Sequence, residues 1–256
     1  MFKAFRKLLS RSQAPGRARL TSETWPAAIY AIGDVHGRYD LLRALEKQIA
    51  DDAVAYDGEK WLVTLGDYVD RGAQSASVLD HLTGAAPNGF RRVSLCGNHE
   101  QMMLDFIAAP VWPSSWLDYG GIETLRSYGI AVEASRGEPR RLRALIESHI
   151  PEEHLQFLRE LPVCLALPGF VFVHAGIRPG IPVEEQSEED LLWIRHEFLD
   201  AQLPAGLTVV HGHTPMPEPV VMPQRISIDT GAFATGRLTG VRIVPGEPAH
   251  LLTAAI

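Results

Sequence analysis

The run Trp61-Leu62-Val63-Thr64-Leu65-Gly66-Asp67-Tyr68-Val69-Asp70-Arg71-Gly72 joins an apolar, strand-like stretch directly to a glycine-bounded cluster of charges. Two further runs repeat the arrangement: Ala27 to Ile32 leads into Gly33-Asp34-Val35-His36-Gly37, and Arg92 to Cys96 leads into Gly97-Asn98-His99-Glu100. Between them, Leu41, Leu42, Leu45 and Ile49 share one helical face, and Val78, Leu79 and Leu82 share another. This βαβαβ order implies a parallel sheet of an α/β protein. Polar residues just past the carboxyl ends of its strands fall where open α/β sheets place ligands.

Downstream, Pro110 to Gly129 breaks periodicity with Trp112, Pro113, Trp116, Gly120 and Gly121, ahead of a helical stretch from Pro139 to Leu161 interrupted at Pro151. The pattern then turns to strands. Val163 to Leu167 and Phe170 to Val173 flank Pro168-Gly169 as a hairpin, and Leu207 to Val210, Arg225 to Ile228 and Gly240 to Val244 continue the series. The expected architecture is one domain over 25–256, with two sheets face to face, helices outside and a cap or loop insertion around 110–160. Residues 1–24 are expected to be a basic, flexible N-terminal segment.

The 256 residues carry a net charge of −7, with 46% hydrophobic and 21% charged residues, an ordinary globular balance. The acidic balance argues against a nonspecific nucleic-acid partner. Lys3, Arg6, Lys7, Arg11, Arg17 and Arg19 make only the beginning basic, and residues 1–12 offer at most a weak peripheral contact with an anionic membrane. No apolar run approaches the ~20 residues of a membrane span, and a cytoplasmic location is expected. Cys96 and Cys164 sit in apolar runs and read as buried, reduced thiols.

The motifs supply oxygen and imidazole donors suited to two-metal phosphoester chemistry, in which one carboxylate must touch both ions. Asp34 and His36 alternate about Val35 and suit one metal, unless Asp34 merely caps a helix. Asp67 is the candidate bridge, and Asn98 supplies a neutral oxygen to the second ion, completed by His174 of Val173-His174-Ala175-Gly176 and His213 of His211-Gly212-His213-Thr214. His99 is the candidate proton donor to the leaving group, oriented by Asp70, although a helix-capping histidine fits the same position. Arg71 offers a planar fork to phosphate, or pairs locally with Asp70. Arg195 either snorkels from an amphipathic helix or acts as a second phosphate clamp. His211 reads as packed or supporting a ligand, Asp229 as orienting a ligand or capping a turn, and His81, His149, His154, His196 and His250 carry no assigned chemistry.

With all five motifs in view, the chain resembles the calcineurin-like metallophosphoesterase superfamily, and within it the phosphoprotein phosphatase family in its bacterial and phage form, from about Ile29 to Val244. The resemblance implies an α-β-β-α sandwich of two mixed sheets. It also implies that Asp34, His36 and Asp67 bind the first metal, that Asp67, Asn98, His174 and His213 bind the second, and that a metal-bridging water or hydroxide attacks phosphorus. His99 with Asp70 is the implied acid, and Arg71 and Arg195 hold phosphate. Pro215 stands where the wider superfamily often has a second histidine, as in the phosphatase branch, and Tyr119 stands before Gly120-Gly121 where Asn is common. His174-Ala175-Gly176-Ile177-Arg178-Pro179 resembles symmetrical diadenosine tetraphosphate hydrolases, which usually lack a residue of the Asp70 type and carry Asp where this chain has Glu100.

The expected activity is hydrolysis of phosphoserine or phosphothreonine in proteins. The alternative is a symmetrical dinucleoside tetraphosphate hydrolase, and a minor one is a noncatalytic module binding phosphorylated ligands. The donor set, without thiolate, suits two divalent ions, with manganese expected by similarity and iron or zinc chemically admissible.

Overall fold

The computed structural model describes residues 10–11, 16–135 and 137–256. Its first half runs β1 (Ser10–Arg11), β2 (Arg19–Thr21), β3 (Ala28–Ile32), α1 (Tyr39–Asp52), β4 (Lys60–Thr64), α2 (Ser75–Thr83), β5 (Phe90–Ser94) and α3 (Asn98–Ala108). Helices α4 (Ile122–Ser127), α5 (Pro139–His149) and α6 (Glu152–Glu160) follow. The second half comprises β6 (Cys164–Leu167), β7 (Phe170–Val173), α7 (Glu188–Trp193), α8 (His196–Leu199), β8 (Thr208–His211), β9 (Val220–Met222), β10 (Arg225–Ser227), α9 (Ala232–Thr235), β11 (Arg237–Ile243) and β12 (His250–Ala255).

Two mixed sheets form, a five-stranded one ordered β12-β11-β3-β4-β5 and a seven-stranded one ordered β1-β2-β6-β7-β8-β10-β9. β3, β4 and β5 are parallel, with Ile32 opposite Thr64 and Thr64 opposite Ser94, so their motif loops leave at one rim. In the other sheet β7, β8 and β10 are mutually parallel, which sends the His174 and His211-Gly212-His213 segments off together.

Side-chain alternation explains the layering. Ile29 and Ala31 of β3, Trp61 and Val63 of β4, Phe172 of β7 and Val210 of β8 meet in one cluster between the sheets. Their neighbours Tyr30, Ile32, Leu62, Val171 and Val209 face the outer cluster with Leu41, Leu42, Leu45 and Ile49 of α1. A strand buried on both faces needs such continuous apolar sequence, and this is what the motif-preceding runs supply. Trp61 is 1% exposed, and truncating it to Ala costs about 3–5 kcal/mol.

The α/β sandwich of two mixed sheets with helices outside is therefore the architecture expected from the sequence. Four strands escape the sequence reading: β1, β2, β9 and β12. β2 pairs in parallel with β6, so part of the 1–24 segment belongs to the sheet. The side chains of residues 1–12, on which the membrane contact was argued, lie outside the described residues. Among the described residues no helix is long and apolar enough to cross a membrane. Cys96 and Cys164 are buried and unpaired, and burial pushes both thiols up, Cys164 to about 11.

Candidate active site

The loops after β3 and β4 hold each other. The backbone N–H groups of Val35 and His36 donate to Asp67 O at 3.1 and 2.8 Å, and Gly37 N donates to Tyr68 O at 2.9 Å. Glu100 ties in the third loop by accepting N–H bonds from Asp67 and Tyr68 at 2.8 Å, from Gly97 at 2.9 Å and from Val69 at 3.3 Å. Burial and then the Asp67 charge push its carboxyl up to about 8, against the pull of those donors. The turns are tight. Among the described residues the non-glycine positions with positive φ are His36 (42°), Asp67 (52°), Asp70 (73°), Arg71 (68°) and His213 (65°), all of them candidate site residues. Such backbone is costly and persists only where the surroundings fix it. Asp34 and His36 therefore lie in a turn beyond β3, not on alternate positions of the strand itself, a correction to the sequence reading.

Asp67 stands between two donor groups. Its Oδ2 is 3.5 Å from His36 Nε2 and 3.8 Å from His99 Nε2, while its Oδ1 is 3.5 Å from His174 Nε2. The sets His36, Asp67, His99 and Asp67, His174, His213 each gather ligand atoms within 4.8 Å of one another, all buried. Asn98 joins the second set, its Oδ1 lying 2.8 Å from His174 Nε2 and 3.0 Å from His213 Nδ1. Asn98 and His99 open α3, and His99 N donates to Asp67 Oδ1 at 3.1 Å, so a helix N-terminus faces the carboxylate.

These residues fit divalent cations on three counts. First, the Nδ1 atoms of His36 and His174 lie 2.9 and 3.0 Å from the carbonyls of Val69 and Leu65, which fixes N–H there and turns the Nε2 lone pairs inward. Second, burial drives His174 down to about 3 and His213 to about 2, so both imidazoles stand neutral. Third, Asp34 Oδ2 accepts from His213 N at 3.0 Å, but its buried Oδ1 has no hydrogen-bond partner. Burial, Asp229 and Asp67 all push the Asp34 carboxyl well up. Clustered buried carboxylates of this kind are stable together when a cation neutralises them. Gly212 makes room, since a Cβ there would fall on Asp34 Oδ1.

The proposed acid is built into a separate network. His99 Nδ1 lies 2.6 Å from Asp70 Oδ2, which also accepts from Trp116 Nε1 at 2.8 Å, and Asp70 Oδ1 accepts from Thr124 Oγ1 at 2.7 Å. His99 does not cap its helix. Burial lowers the imidazole and raises the Asp70 carboxyl, while Asp67 opposes the first shift. Arg71 makes no pair with Asp70 and instead reaches His36 Nε2 at 3.0 Å and His99 Nε2 at 3.2 Å, its guanidinium 4.6 Å from the Phe233 ring. Arg195 lies between α7 and α8, not on an amphipathic helix, and its Nε is 3.1 Å from His213 Nε2.

All ten residues singled out as ligands, acid or phosphate clamps, apart from Asp34, share direct contacts around Asp67; Asp34 touches the group through His213 N. His211 packs edge to face on Phe198 at 5.0 Å, and Asp229 Oδ1 accepts from Gly231 N at 2.8 Å while its carboxyl, pushed up to about 6 by burial, neighbours Asp34. His81 pairs with Glu46, and His154 with Asp80, in structural roles. Sequence reasoning missed Trp116, Thr124 and the clamp made by Glu100. The Gly120 carbonyl also receives Arg71 N at 3.3 Å, so the 110–129 segment holds both Asp70 and Arg71 in place.

The profile of the calcineurin-like phosphoesterase family matches residues 27–236. A symmetrical bis(5'-nucleosyl)-tetraphosphatase of Nitrosococcus oceani is 31% identical over 59% of this chain, a match that spans 45% of that relative's length. An asymmetrical bis(5'-nucleosyl)-tetraphosphatase of Bacillus velezensis is 24% identical over 84% of this chain and 89% of its own. A solved structure provisionally assigned as a diadenosine tetraphosphatase superposes with a TM-score of 0.64 at 21% identity, covering 92% of this chain and 97% of that one, a likeness of fold.

Proposed function

Since this chain belongs to the calcineurin-like phosphoesterase family, we propose that it is a hydrolase using two divalent cations to cleave a phosphoanhydride of a bis(5'-nucleosyl) tetraphosphate. The observation that carries the chemistry is Asp67, common to both donor groups. The substrate class rests on the two tetraphosphatase relatives, one of them matched over 84% of this chain. It takes precedence over the protein-phosphatase activity first expected from the motifs.

Asp34, His36 and Asp67 would hold one cation, and Asp67, Asn98, His174 and His213 the other; manganese suits this donor set. Bound there, the pair supplies an activated water and neutralises the phosphate oxygens. Arg71 and Arg195, at opposite ends of the donor cluster, bind and orient the phosphate as guanidinium forks. His99, with Nδ1 fixed on Asp70, would present a proton at Nε2 to the departing oxygen once Arg71, which donates to that Nε2 here, turns to the phosphate.

One observation favours a second reading, hydrolysis of phosphoserine or phosphothreonine. An alkoxide leaving group needs a proton more than a nucleoside diphosphate does, and the Asp70–His99 pair at 2.6 Å is built to deliver one. The test sets diadenosine tetraphosphate against a phosphoserine peptide, using manganese-loaded protein and product analysis. Faster dinucleotide turnover is expected, with two ADP marking symmetrical cleavage and ATP plus AMP asymmetrical cleavage. Phosphopeptide turnover well above the dinucleotide rate would overturn the reading.

A further inference from the structure

Each end of the donor cluster is closed by a partly exposed aromatic ring. Phe233, 38% exposed, meets His36 edge to face with centroids 5.4 Å apart, and Trp193, 41% exposed, meets His213 at 6.2 Å. The two rings differ in what else they do. Phe233 carries the Arg71 guanidinium 4.6 Å from its centroid. Trp193 instead lines a cavity of about 350 Å³ together with Arg178, Glu189, Arg195 and Glu197. Cavities that hold small ligands run to about 300–1,000 Å³.

Arg195 belongs to this cavity and also reaches His213 through its Nε, so a ligand with its phosphate on Arg195 extends its next group toward Trp193. The charges in the lining disfavour another phosphate. Arg178 is engaged by Asp190, both carboxylate oxygens lying 3.0 Å from its Nε, and the remaining ionised groups of the wall, Glu189 and Glu197, are acids. Acceptors beside an exposed indole suit a neutral ring bearing N–H donors. The wall is also fixed: Ser187 Oγ donates to Asp190 Oδ2 at 2.8 Å and accepts from Asp190 N at 3.0 Å, which caps α7 and sets where Trp193 stands at its other end.

We propose that the Trp193 cavity is a nucleobase subsite, in which the indole stacks on the base of a nucleotide whose phosphate is held at Arg195. This rests on the dinucleotide reading for the identity of the substrate. Base stacking on an aromatic side chain is sequence-tolerant and shifts affinity by about 5- to 150-fold on truncation to alanine.

The test compares AMP with ribose 5-phosphate as competitive inhibitors of 4-nitrophenyl phosphate hydrolysis, in the wild-type, Trp193→Ala and Trp193→Phe proteins. Both inhibitors share the sugar phosphate, so the ratio of their inhibition constants is insensitive to any disturbance of His213. AMP is expected to bind on the order of 10-fold better than ribose 5-phosphate to the wild type. That preference should collapse toward unity in Trp193→Ala and largely survive in Trp193→Phe. A wild-type ratio near one, or a ratio unchanged in Trp193→Ala, overturns the subsite. Cleavage of the phosphopeptide but not the dinucleotide, with the Trp193-dependent preference intact, would sink the proposed substrate and leave the subsite standing. Dinucleotide cleavage with a KM indifferent to Trp193 would do the reverse.

Discussion

Replacing Asp70 with Asn tests the acid. The carboxylate is 0% exposed and its Oδ2 lies 2.6 Å from His99 Nδ1, so water does not screen the pair. For unit charges about 4 Å apart at an effective dielectric constant near 20, the attraction on an imidazolium is about 4 kcal/mol. At about 1.4 kcal/mol per decade this amounts to roughly a 10³-fold loss of rate where the proton matters, inside the 10²–10⁴-fold range of general-acid catalysis. The fold should survive, because the Asn oxygen can accept from His99 while its amide faces Thr124 Oγ1, which then accepts. Steady-state turnover of an alkyl phosphate and of 4-nitrophenyl phosphate by the manganese-loaded variant provides the assay. The alkyl ester should slow by about three decades and the aryl ester, with its good leaving group, by far less. Equal slowing of the two, with metal content unchanged, would refute the reasoning.

Gly212→Ala should lower bound metal per chain and activity by at least about 10-fold, because the new Cβ falls on Asp34 Oδ1; metal analysis after gel filtration reads it. Glu100→Gln turns an amide N–H₂ toward backbone donors and should destabilise the protein by about 2–4 kcal/mol in urea denaturation. Chelation should abolish turnover, and manganese returned at 100 times its Kd should restore about 2.7 kcal/mol of stability in a thermal melt. For Asp52, burial pushes the carboxyl up, but the Tyr30 hydroxyl at 2.6 Å and Arg242 at 2.6 and 2.8 Å leave it lowered overall. A folded pKa below the unfolded value of about 3.9 gives stability that is complete above that value and is lost as the pH falls through the folded one. Arg242→Met should therefore flatten the acid limb of the stability profile by about 1 kcal/mol, followed by denaturation at stepped pH.

Much of this was legible because its signals are local. β3 and β4 appear as apolar runs since both their faces are covered, and the break at Pro151 separates α5 from α6 where the proline sets it. β5 begins two residues earlier than its apolar run suggests, because it is an edge strand whose Phe90, Arg91 and Arg92 are only half-buried. β2 is three residues long and β9 has two exposed positions, so neither carries an alternation that could be recognised. In the site, ligand residue types announce themselves next to glycines. Trp116 and Thr124 do not, because their partner Asp70 lies 46 and 54 residues away and only the fold joins them. Arg195 was ambiguous for the same reason: its 18-residue separation from His213 is bridged only in the fold, where Phe198 of α8 packs on His211 of β8.

His36, Asp67, Asn98 and His99 hang from the five-stranded sheet, whereas His174 and His213 hang from the seven-stranded one. An ion resting on Asp67, Asn98, His174 and His213 would therefore rivet one layer of the sandwich to the other. Loss of that rivet would loosen the seam at the rim before it disturbed either sheet alone, so the candidate metal site would double as a fastener.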